Sequence, residues 1–348
     1  MKIIHYIESL GLGGGQVMMA ELKSAIDKRL DCEQEIWLEN KNKTESEFLS
    51  SYNITYRIGR IVDIPKVYRS TAKQPIVLLY HKLMSSNARL TTIAMRTVPV
   101  IVINHTHMGV RKPMGKCSAV VSVSEFMLKA MQKRQPQHHH VFIRNGVDQL
   151  YSQSVECEKK SDEFVTGRIN RLCTIKHSDE WLKWCSSVEL PKKMTHEYIG
   201  TGEGLEKGRK LLRNLSEPRN DVCLLGGIFD RHKKISKLKT WDIFLYDINE
   251  NEGTSMSILE ALSCGVPVIC NDRYGNKEII KNGVNGYVYK SKKEAQKLLS
   301  SLCLDDEKLT KLKISTIKHF AENLDSYIMA DKYISLIQKV LDKNHVSS

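Results

Sequence analysis

Two carboxylates, Glu252 and Glu260, stand eight residues apart and mark the place where this chain could do chemistry. Glu252 lies at the mouth of a glycine-containing loop, and Glu260 lies inside the helix that the next apolar residues predict. Because this spacing is a little over two helical turns, both carboxylates can reach one elongated ligand lying over the helix N-terminus. That N-terminus, at residues 254–257, offers free backbone N–H groups and the positive end of a helix dipole. An anion such as a diphosphate would bind there without a cationic side chain.

A second candidate anion site lies near the start of the chain. A glycine-rich loop at 11–15 separates a buried apolar run at 2–7 from a helix predicted from 16 to about 28. Strand, glycine-rich loop and helix together can cradle a phosphate. The dinucleotide fingerprint needs a third glycine where Gln16 stands, so the pattern disfavours a nicotinamide-dependent oxidoreductase.

Strands alternate with helices along the whole chain. Such alternation predicts parallel, doubly wound sheets, with ligands at the carboxyl ends of the strands. A polar stretch at 149–163 without periodicity predicts an interdomain linker. Further helices are predicted over 124–133, 178–185, 292–301 and 326–343. The predicted strands are 2–7, 35–38, 76–80, 98–103, 119–123 and 141–143 before the linker, and 164–166, 198–200, 222–225, 243–246 and 266–270 after it.

Composition bounds the class of protein. A chain of 348 residues with 41% hydrophobic residues is long enough for two domains. An apolar run of about 18 residues would be needed to span a membrane, and the sequence holds none; Glu8 interrupts the first apolar run, which argues against a signal peptide. Nine scattered cysteines without a C-x-x-C pair indicate reduced thiols and a cytoplasmic protein.

The positive charge is concentrated in one segment. Between Arg57 and Arg144 there are fifteen Lys and Arg residues and two acids, Asp63 and Glu125, so this segment carries the whole net charge of +13. An excess this local favours a polyanionic partner, such as nucleic acid, an anionic membrane surface or a phosphorylated substrate.

Several blocks of sequence, in order, resemble the retaining glycosyltransferases of the GT-B fold, in the glycogen-synthase-like group with an E-x7-E motif. The segment EGTSMSILEALSCGVPVI resembles the E-x7-E motif and its continuation, and the segment RYGNKEIIKNGVNGYVY resembles the family block that follows. The N-terminal glycine loop resembles GGGQVMMAEL, two further N-terminal blocks resemble SVSEFM and IRNGVD, and the opening of the donor domain resembles VTGRINRLCTIKHSDEWL.

The resemblance implies a fold and its division. We expect two Rossmann-like doubly wound α/β domains that face each other across a cleft, with a C-terminal helix that crosses back. The predicted bounds are 1–155 for an acceptor-binding domain, 156–325 for a nucleotide-sugar donor domain, and 326–348 for a helix that packs on the first domain.

The resemblance also implies roles for single residues. Glu260 matches the carboxylate that holds the donor ribose, and Glu252 matches the one that faces the transferred sugar. A histidine is expected at the sugar; we choose His107, with His105 as the alternative, because NHTHM can be aligned in two ways. The remaining donor-site residues implied are Gly14, Gly15, Thr254, Ser255, Met256, Arg168 and Lys176, and the predicted acceptor-binding residues are His105, Arg111 and Lys112.

Two departures from the family pattern bear on the cations. Eight positions separate Arg168 from Lys176, which is more than the family spacing, and His177 stands where glycine is common. Arg171 is therefore an alternative to Lys176. No D-x-D motif is present, which agrees with the metal-independent catalysis that the fold implies, so we predict no metal site and no cofactor.

The resemblance implies a retaining, metal-independent hexosyltransferase that uses a nucleotide sugar, with UDP-sugar expected. A helix N-terminus with Arg and Lys can stabilise the charge on a leaving diphosphate. For the acceptor we expect a polyanion, with hydroxymethylated DNA of viral type first, because Trp is missing from 57–144 and membrane-docking helices favour it. The alternatives are a lipid-linked or cell-surface glycan at an anionic membrane, which would place the protein peripherally there, and a non-catalytic nucleotide-sugar-binding protein.

Overall fold

The computed structural model describes most of the chain in ten stretches. These are residues 1–7, 10, 13–39, 46–70, 74–81, 94–105, 116–150, 163–173, 176–248 and 253–346.

The chain forms two compact units. Residues 251–256 group with the first unit, although their neighbours in sequence belong to the second. Unit 1 comprises Met1–Asp148, Asn251–Met256 and Leu324–Ser348, and unit 2 comprises Gln149–Glu250 and Ser257–Asn323.

Unit 1 is built on a seven-stranded parallel sheet whose order is β3-β2-β1-β4-β5-β6-β7. Its inner strands are continuous apolar runs, such as IVLLY, that are buried on both faces, as parallel strands covered by helices must be. The strands are β1 (Lys2–Ile7), β2 (Glu33–Leu38), β3 (Arg57–Ile58), β4 (Ile76–Tyr80), β5 (Val100–Asn104), β6 (Ala119–Ser122) and β7 (His140–Phe142).

Strand order reverses direction between β1 and β4. The two strands pair in parallel with Ile4 opposite Leu78 and Tyr6 opposite Tyr80. In a doubly wound sheet this switch point opens a crevice at the carboxyl ends of the strands. The glycine loop after β1, His81 after β4 and His105 after β5 therefore belong to one edge of the sheet.

Helices cover this sheet. An apolar cluster that includes Trp37, Leu78, Tyr80 and Val102 fills the interior on one face. The helices in this part of the chain are α1 (Gly14–Asp27), α2 (Ser46–Ser51), α3 (Ile64–Ser70) and α4 (Glu125–Arg134).

Unit 2 repeats the plan with a six-stranded parallel sheet of order β10-β9-β8-β11-β12-β13. Its switch point lies between β8 and β11. The strands are β8 (Phe164–Ile169), β9 (Met194–Ile199), β10 (Asp221–Gly226), β11 (Ile243–Tyr246), β12 (Val268–Asn271) and β13 (Gly286–Tyr289). The helices are α5 (Asp179–Ser187), α6 (Gly204–Arg213), α7 (Arg231–Lys239), α8 (Met256–Ser263), α9 (Lys292–Leu304) and α10 (Asp306–Asn323).

The last helix, α11 (Ser326–Val346), packs against α1 in unit 1. Its first residue donates from Oγ to Asp148 Oδ1 over 2.6 Å. Gly146 lies against the start of α11, and a Cβ there would stand 2.7 Å from the carbonyl oxygen of Asp325. No larger residue fits at position 146 without moving the backbone of the helix start.

The predicted fold class is confirmed: the chain forms two parallel α/β Rossmann-like sheets and ends in a helix. Each predicted strand is present, with ends that shift by up to a few residues. The elements that were not predicted are the strands β3 and β13 and the helices α2, α3, α6, α7 and α10. Within the described residues, no helix is long and apolar enough to cross a membrane.

Candidate active site

The glycine loop of unit 1 ends directly in a helix N-terminus. Gly13 is extended, with φ −161° and ψ 159°, and α1 begins at Gly14. The first N–H groups of a helix have no intrahelical acceptor, and Gly13 has no side chain that could cap them. Gly14 and Gly15 thus present backbone donors at the positive end of a helix of 14 residues. This arrangement suits a phosphate group.

Two side chains of unit 1 border these glycines. A Cβ added to Gly15 would lie 3.4 Å from Cγ and Cδ2 of His105, and one added to Gly14 would lie 3.4 Å from Cγ of Met256. His105 directly follows β5. The loop after β1, the end of β5 and Met256 therefore lie together in unit 1.

Residues 253–256 are held tightly in unit 1. Thr254 donates from Oγ1 to the carbonyl of Val123 over 2.9 Å. A Cβ on Gly253 would stand 2.1 Å from Met127 Sδ, so a larger residue at position 253 would force the Met127 side chain to move. Thr254 and Ser255 are 8% and 4% exposed. Since the hydroxyl proton of Thr254 is already used, the backbone N–H group is the hydrogen-bond donor that this residue can offer to a ligand.

In unit 2, Glu260 is buried in α8 and paired with a lysine of α7. Lys234 Nζ lies 2.6 Å from Glu260 Oε1, with side chains that are 13% and 7% exposed. The sequence required either a ligand or a buried partner for this acid, because an unpaired buried carboxylate is costly. Lys234 is that partner, and the second carboxylate oxygen leaves capacity for further hydrogen bonds.

Arg168 lies inside unit 2 rather than on its surface. Its side chain is 1% exposed, and its guanidinium carbon stands 5.0 Å from the ring centre of Tyr246 and 5.3 Å from that of Tyr198. Nη2 donates to the backbone carbonyl of Lys176 over 2.6 Å. The guanidinium therefore holds the loop that carries Lys176 to the aromatic interior.

Lys176 and Arg171 flank this loop. Lys176 is partly exposed, its N–H donates to Cys173 O over 2.9 Å, and Arg171 is exposed. The neighbouring His177 is partly buried, and burial together with the charge of Arg168 lowers the pKa of its imidazole. Of the two cations, Lys176 and Arg171, only Lys176 has a backbone carbonyl that accepts a described hydrogen bond from Arg168.

Four predicted site residues fall outside the described residues. They are Glu252, His107, Arg111 and Lys112. Their roles stay predictions.

Other residues that shape the site were missed from the sequence. Lys234 is one basic residue among several in RHKKISKLK, and only the buried Glu260 one helix away shows which of them pairs. His5 stood as a polar residue in the apolar run KIIHYI, a signal that was present but not used. In the structure it joins His81 and His105 through hydrogen bonds.

Known proteins resemble this chain in its fold and in part of its sequence. Residues 151–319 match the family model described as glycosyl transferases group 1. A crystal structure of Anabaena HepE in complex with UDP-glucose aligns with a TM-score of 0.75 at 18% identity, covering 99% of this chain and 100% of that chain. The chain therefore has the GT-B fold, and residues 151–319 resemble the glycosyl transferases group 1 family.

Two curated relatives share shorter regions. An uncharacterized glycosyltransferase of Methanocaldococcus jannaschii is 26% identical over 213 residues, which are 58% of this chain and 53% of the relative. The poly(glycerol-phosphate) alpha-glucosyltransferase of Bacillus subtilis is 30% identical over 179 residues, which are 50% of this chain and 24% of that protein. The chain thus spans about half the length of the first relative and a quarter of the second.

Proposed function

We propose that this protein is a glycosyltransferase that moves a sugar from a nucleotide-sugar donor, expected to be a UDP-sugar, to a hydroxyl group of a polyanionic acceptor. The observation that carries the proposal is the buried carboxylate of Glu260, which lies in the region that matches the group 1 family model and is held in place by Lys234. A fixed carboxylate one turn inside a helix can accept hydrogen bonds from two ribose hydroxyls while the N-terminus of the same helix binds phosphate. HepE, which shares the fold, binds UDP-glucose.

The remaining donor contacts are assigned from the geometry of each unit. Gly14 and Gly15 supply backbone donors to the phosphates, Lys176 supplies the cation, and Thr254, Ser255 and Met256 supply backbone donors to sugar and phosphate. Arg168 is a positioning residue, because its guanidinium contacts the Lys176 carbonyl. For the histidine at the sugar we propose His105, the alternative to His107 in the sequence, because its ring borders Gly15. Glu252 is proposed to face the transferred sugar.

The chemical step needs no protein base in this proposal. The bond between the anomeric carbon and the diphosphate oxygen breaks, and the acceptor oxygen bonds to the same face of that carbon, so the configuration is retained. The acceptor proton passes to the departing phosphate oxygen. The helix N-termini and Lys176 stabilise the diphosphate charge that develops, which is the role a metal ion plays in other transferases.

The acceptor is assigned from charge. The described part of the segment from 57 to 144 exposes nine cationic side chains, and it carries few acids to offset them. They are Arg57, Arg60, Lys66, Arg69, Arg96, Lys116, Lys129, Lys133 and Arg134. A phosphate-bearing polymer fits this surface. Hydroxymethylated DNA remains the first candidate from the sequence, and the B. subtilis relative, named for poly(glycerol phosphate), adds a second polymer of the same charge.

A donor and acceptor panel tests the function. Nucleotide sugars with different bases are offered with hydroxymethylated duplex DNA, poly(glycerol phosphate), or a lipid-linked glycan in anionic vesicles, and release of nucleoside diphosphate is measured. Turnover of a UDP-sugar with either phosphate polymer supports the proposal. Turnover with the lipid-linked glycan alone would show that the acceptor is that glycan and not a phosphate polymer. UDP binding without any turnover would support a non-catalytic binding protein.

A further inference from the structure

Three histidines of unit 1 form a continuous hydrogen-bonded row that ends at the candidate active site. His5 Nδ1 lies 3.1 Å from His81 Nε2, and His81 Nδ1 lies 3.3 Å from His105 Nε2. His5 lies on β1, and His81 and His105 directly follow β4 and β5, which are the next two strands of the sheet. Their planes are inclined by 25° and 10°, with centroids 5.4 and 5.5 Å apart. Adjacent rings are therefore joined nitrogen to nitrogen along their edges.

The far end of this row is fixed by Gln34. Its Nε2 lies 3.0 Å from the carbonyl oxygen of Lys23 and 2.6 Å from Asp27 Oδ1. Both of these atoms are acceptors, so the amide nitrogen must face them. The amide oxygen of Gln34 then faces His5 Nε2, 2.8 Å away, and accepts its hydrogen bond.

A single direction follows for every bond in the row. A neutral imidazole carries one N–H donor and one acceptor nitrogen. Since His5 donates from Nε2, its Nδ1 accepts from Nε2–H of His81. The Nδ1 atom of His81 in turn accepts from Nε2–H of His105. Each bond polarises the next, so the direction is cooperative along the row.

The three rings are neutral in the folded protein. Burial lowers the pKa of His5 and of His105 to about 4, and burial together with the two neighbouring imidazoles holds the pKa of His81 well below its ordinary value. The charges that face the row near His5 are Lys23, which lowers the pKa of that ring, and Asp27, which raises it. The neutral rings satisfy the condition on which the direction of the row depends.

We propose that Gln34, His5 and His81 are positioning residues that fix the tautomer of His105, so that its ring presents Nδ1 to the active site as a hydrogen-bond acceptor. The partner of this nitrogen must then carry a hydrogen, as a sugar hydroxyl does and a phosphate dianion does not. Its use in transfer rests on the proposed function. The assignment of the tautomer does not rest on the proposed function, so an experiment can contradict one without contradicting the other.

The direct test reads the proton positions by NMR. The full chain is labelled with 15N in its histidine rings, and couplings across the ring-to-ring hydrogen bonds show which nitrogen donates. We expect Nε2–H of His105 to couple to Nδ1 of His81, and Nε2–H of His81 to couple to Nδ1 of His5. The signals of His105 are assigned by their loss in His105→Gln. A proton on Nδ1 of His81 or His105 in the wild-type protein overturns the proposal.

Substitution of Gln34 reverses the row from its far end. Gln34→Lys keeps a long chain beside Asp27 but offers only donors, so His5 Nε2 must accept and every bond turns round. We expect the proton of His105 to move to Nδ1 and kcat to fall roughly tenfold, the cost of about one misdirected hydrogen bond. UDP affinity should stay within about twofold, because no nucleotide contact changes.

Gln34→Met is the matched control. It keeps the length and packing of the side chain and removes the amide, so nothing forces the reversed direction. We expect its transfer rate to lie between those of the wild type and Gln34→Lys. Equal rates for the Lys and Met variants, with the His105 proton on Nε2 in both, would show that Gln34 only packs. If Gln34→Lys does not fold, the wild-type couplings decide alone.

Discussion

Arg168 Nη2 donates to the backbone carbonyl of Lys176 over 2.6 Å, so the two cations predicted for the diphosphate are linked to each other in the structure. The guanidinium itself is buried against Tyr198 and Tyr246. One cation therefore supports the loop, and the other is carried by it.

Substitutions of Arg168 and Lys176 should distinguish a residue that supports the loop from one that contacts the donor. Arg168→Met removes the bond to the loop and the cation–π contacts, and we expect a loss of roughly 2–4 kcal/mol in the free energy of unfolding. Lys176→Ala should leave the free energy of unfolding within about 0.5 kcal/mol, because the side chain is partly exposed, while the KM for the donor rises. Urea denaturation and donor kinetics measure both. Equal stability of the two variants would contradict the supporting role of Arg168.

The pair between Lys234 and Glu260 should show strong coupling. Lys234→Met leaves a buried carboxylate without its partner, which costs roughly 3–5 kcal/mol in the free energy of unfolding. Adding Glu260→Gln to that variant should recover part of the loss, since no unpaired charge then remains. A double-mutant cycle in urea measures the coupling. Additive effects of the two substitutions would show that the 2.6 Å contact contributes nothing.

Acid should destabilise unit 1 through its histidine row. The pKa of His5 and of His105 is about 4 in the folded protein because the rings are buried, whereas an unfolded histidine titrates near 6.5. Between these two pKa values the unfolded chain binds more protons than the folded protein. The contribution of the two rings to the free energy of unfolding is therefore constant above about pH 6.5 and falls as pH drops toward 4. By pH 4 the loss approaches roughly 3 kcal/mol for each ring.

Urea unfolding at several pH values checks this dependence. His81→Phe replaces the central ring with one that does not titrate, so its free energy of unfolding should fall less steeply between about pH 6.5 and pH 4. His139→Gln, at an exposed position, is the control and should keep the wild-type slope. The same slope in His81→Phe and the wild type would contradict buried, neutral rings.

The positive surface of unit 1 should govern affinity for the acceptor polymer. Replacing Lys129, Lys133 and Arg134 by Gln removes three exposed charges from α4. Affinity for duplex DNA should fall, and the slope of log K against log salt should become shallower by about 0.9 for each phosphate that the variant no longer neutralises. The matched control removes three exposed lysines of α9, Lys292, Lys293 and Lys297, and should bind as the wild type does. If both triple substitutions lowered the affinity for DNA equally, the effect would come from net charge alone and not from the positive surface of unit 1.

The fold could be read from the sequence because both sheets are made of short apolar runs with turn residues between them. Three of the elements that were missed, β3, β13 and α10, lack this signal. β3 is two exposed residues at a sheet edge, and β13 has four residues, begins with a glycine and is only partly buried at its two middle positions. α10 has only four buried side chains among 18 residues, so its apolar face is thin.

The site was predictable as motifs but not as contacts. Sequence placed Glu260 in a helix and showed that it needs a partner, yet Lys234 and Lys237 stand one turn apart on α7 and pair with different acids, Glu260 and Glu197. The burial of Arg168 follows from the length of β8, because this strand extends to Ile169, beyond the predicted end at 166, and residues 164–168 are all buried in it. The histidine row requires the order of three strands, which only the fold supplies.

The central claim is that Glu260 holds the nucleotide of the donor, and the most direct measurement is UDP affinity in two matched variants. Glu260→Gln and Glu197→Gln each remove the charge of a largely buried glutamate that lies 2.6 Å from a lysine of α7. Calorimetry with the full chain should give a dissociation constant for UDP that rises about tenfold or more in Glu260→Gln and stays at the wild-type value in Glu197→Gln. Wild-type protein that does not bind UDP, or equal affinities in the two variants, would contradict the account.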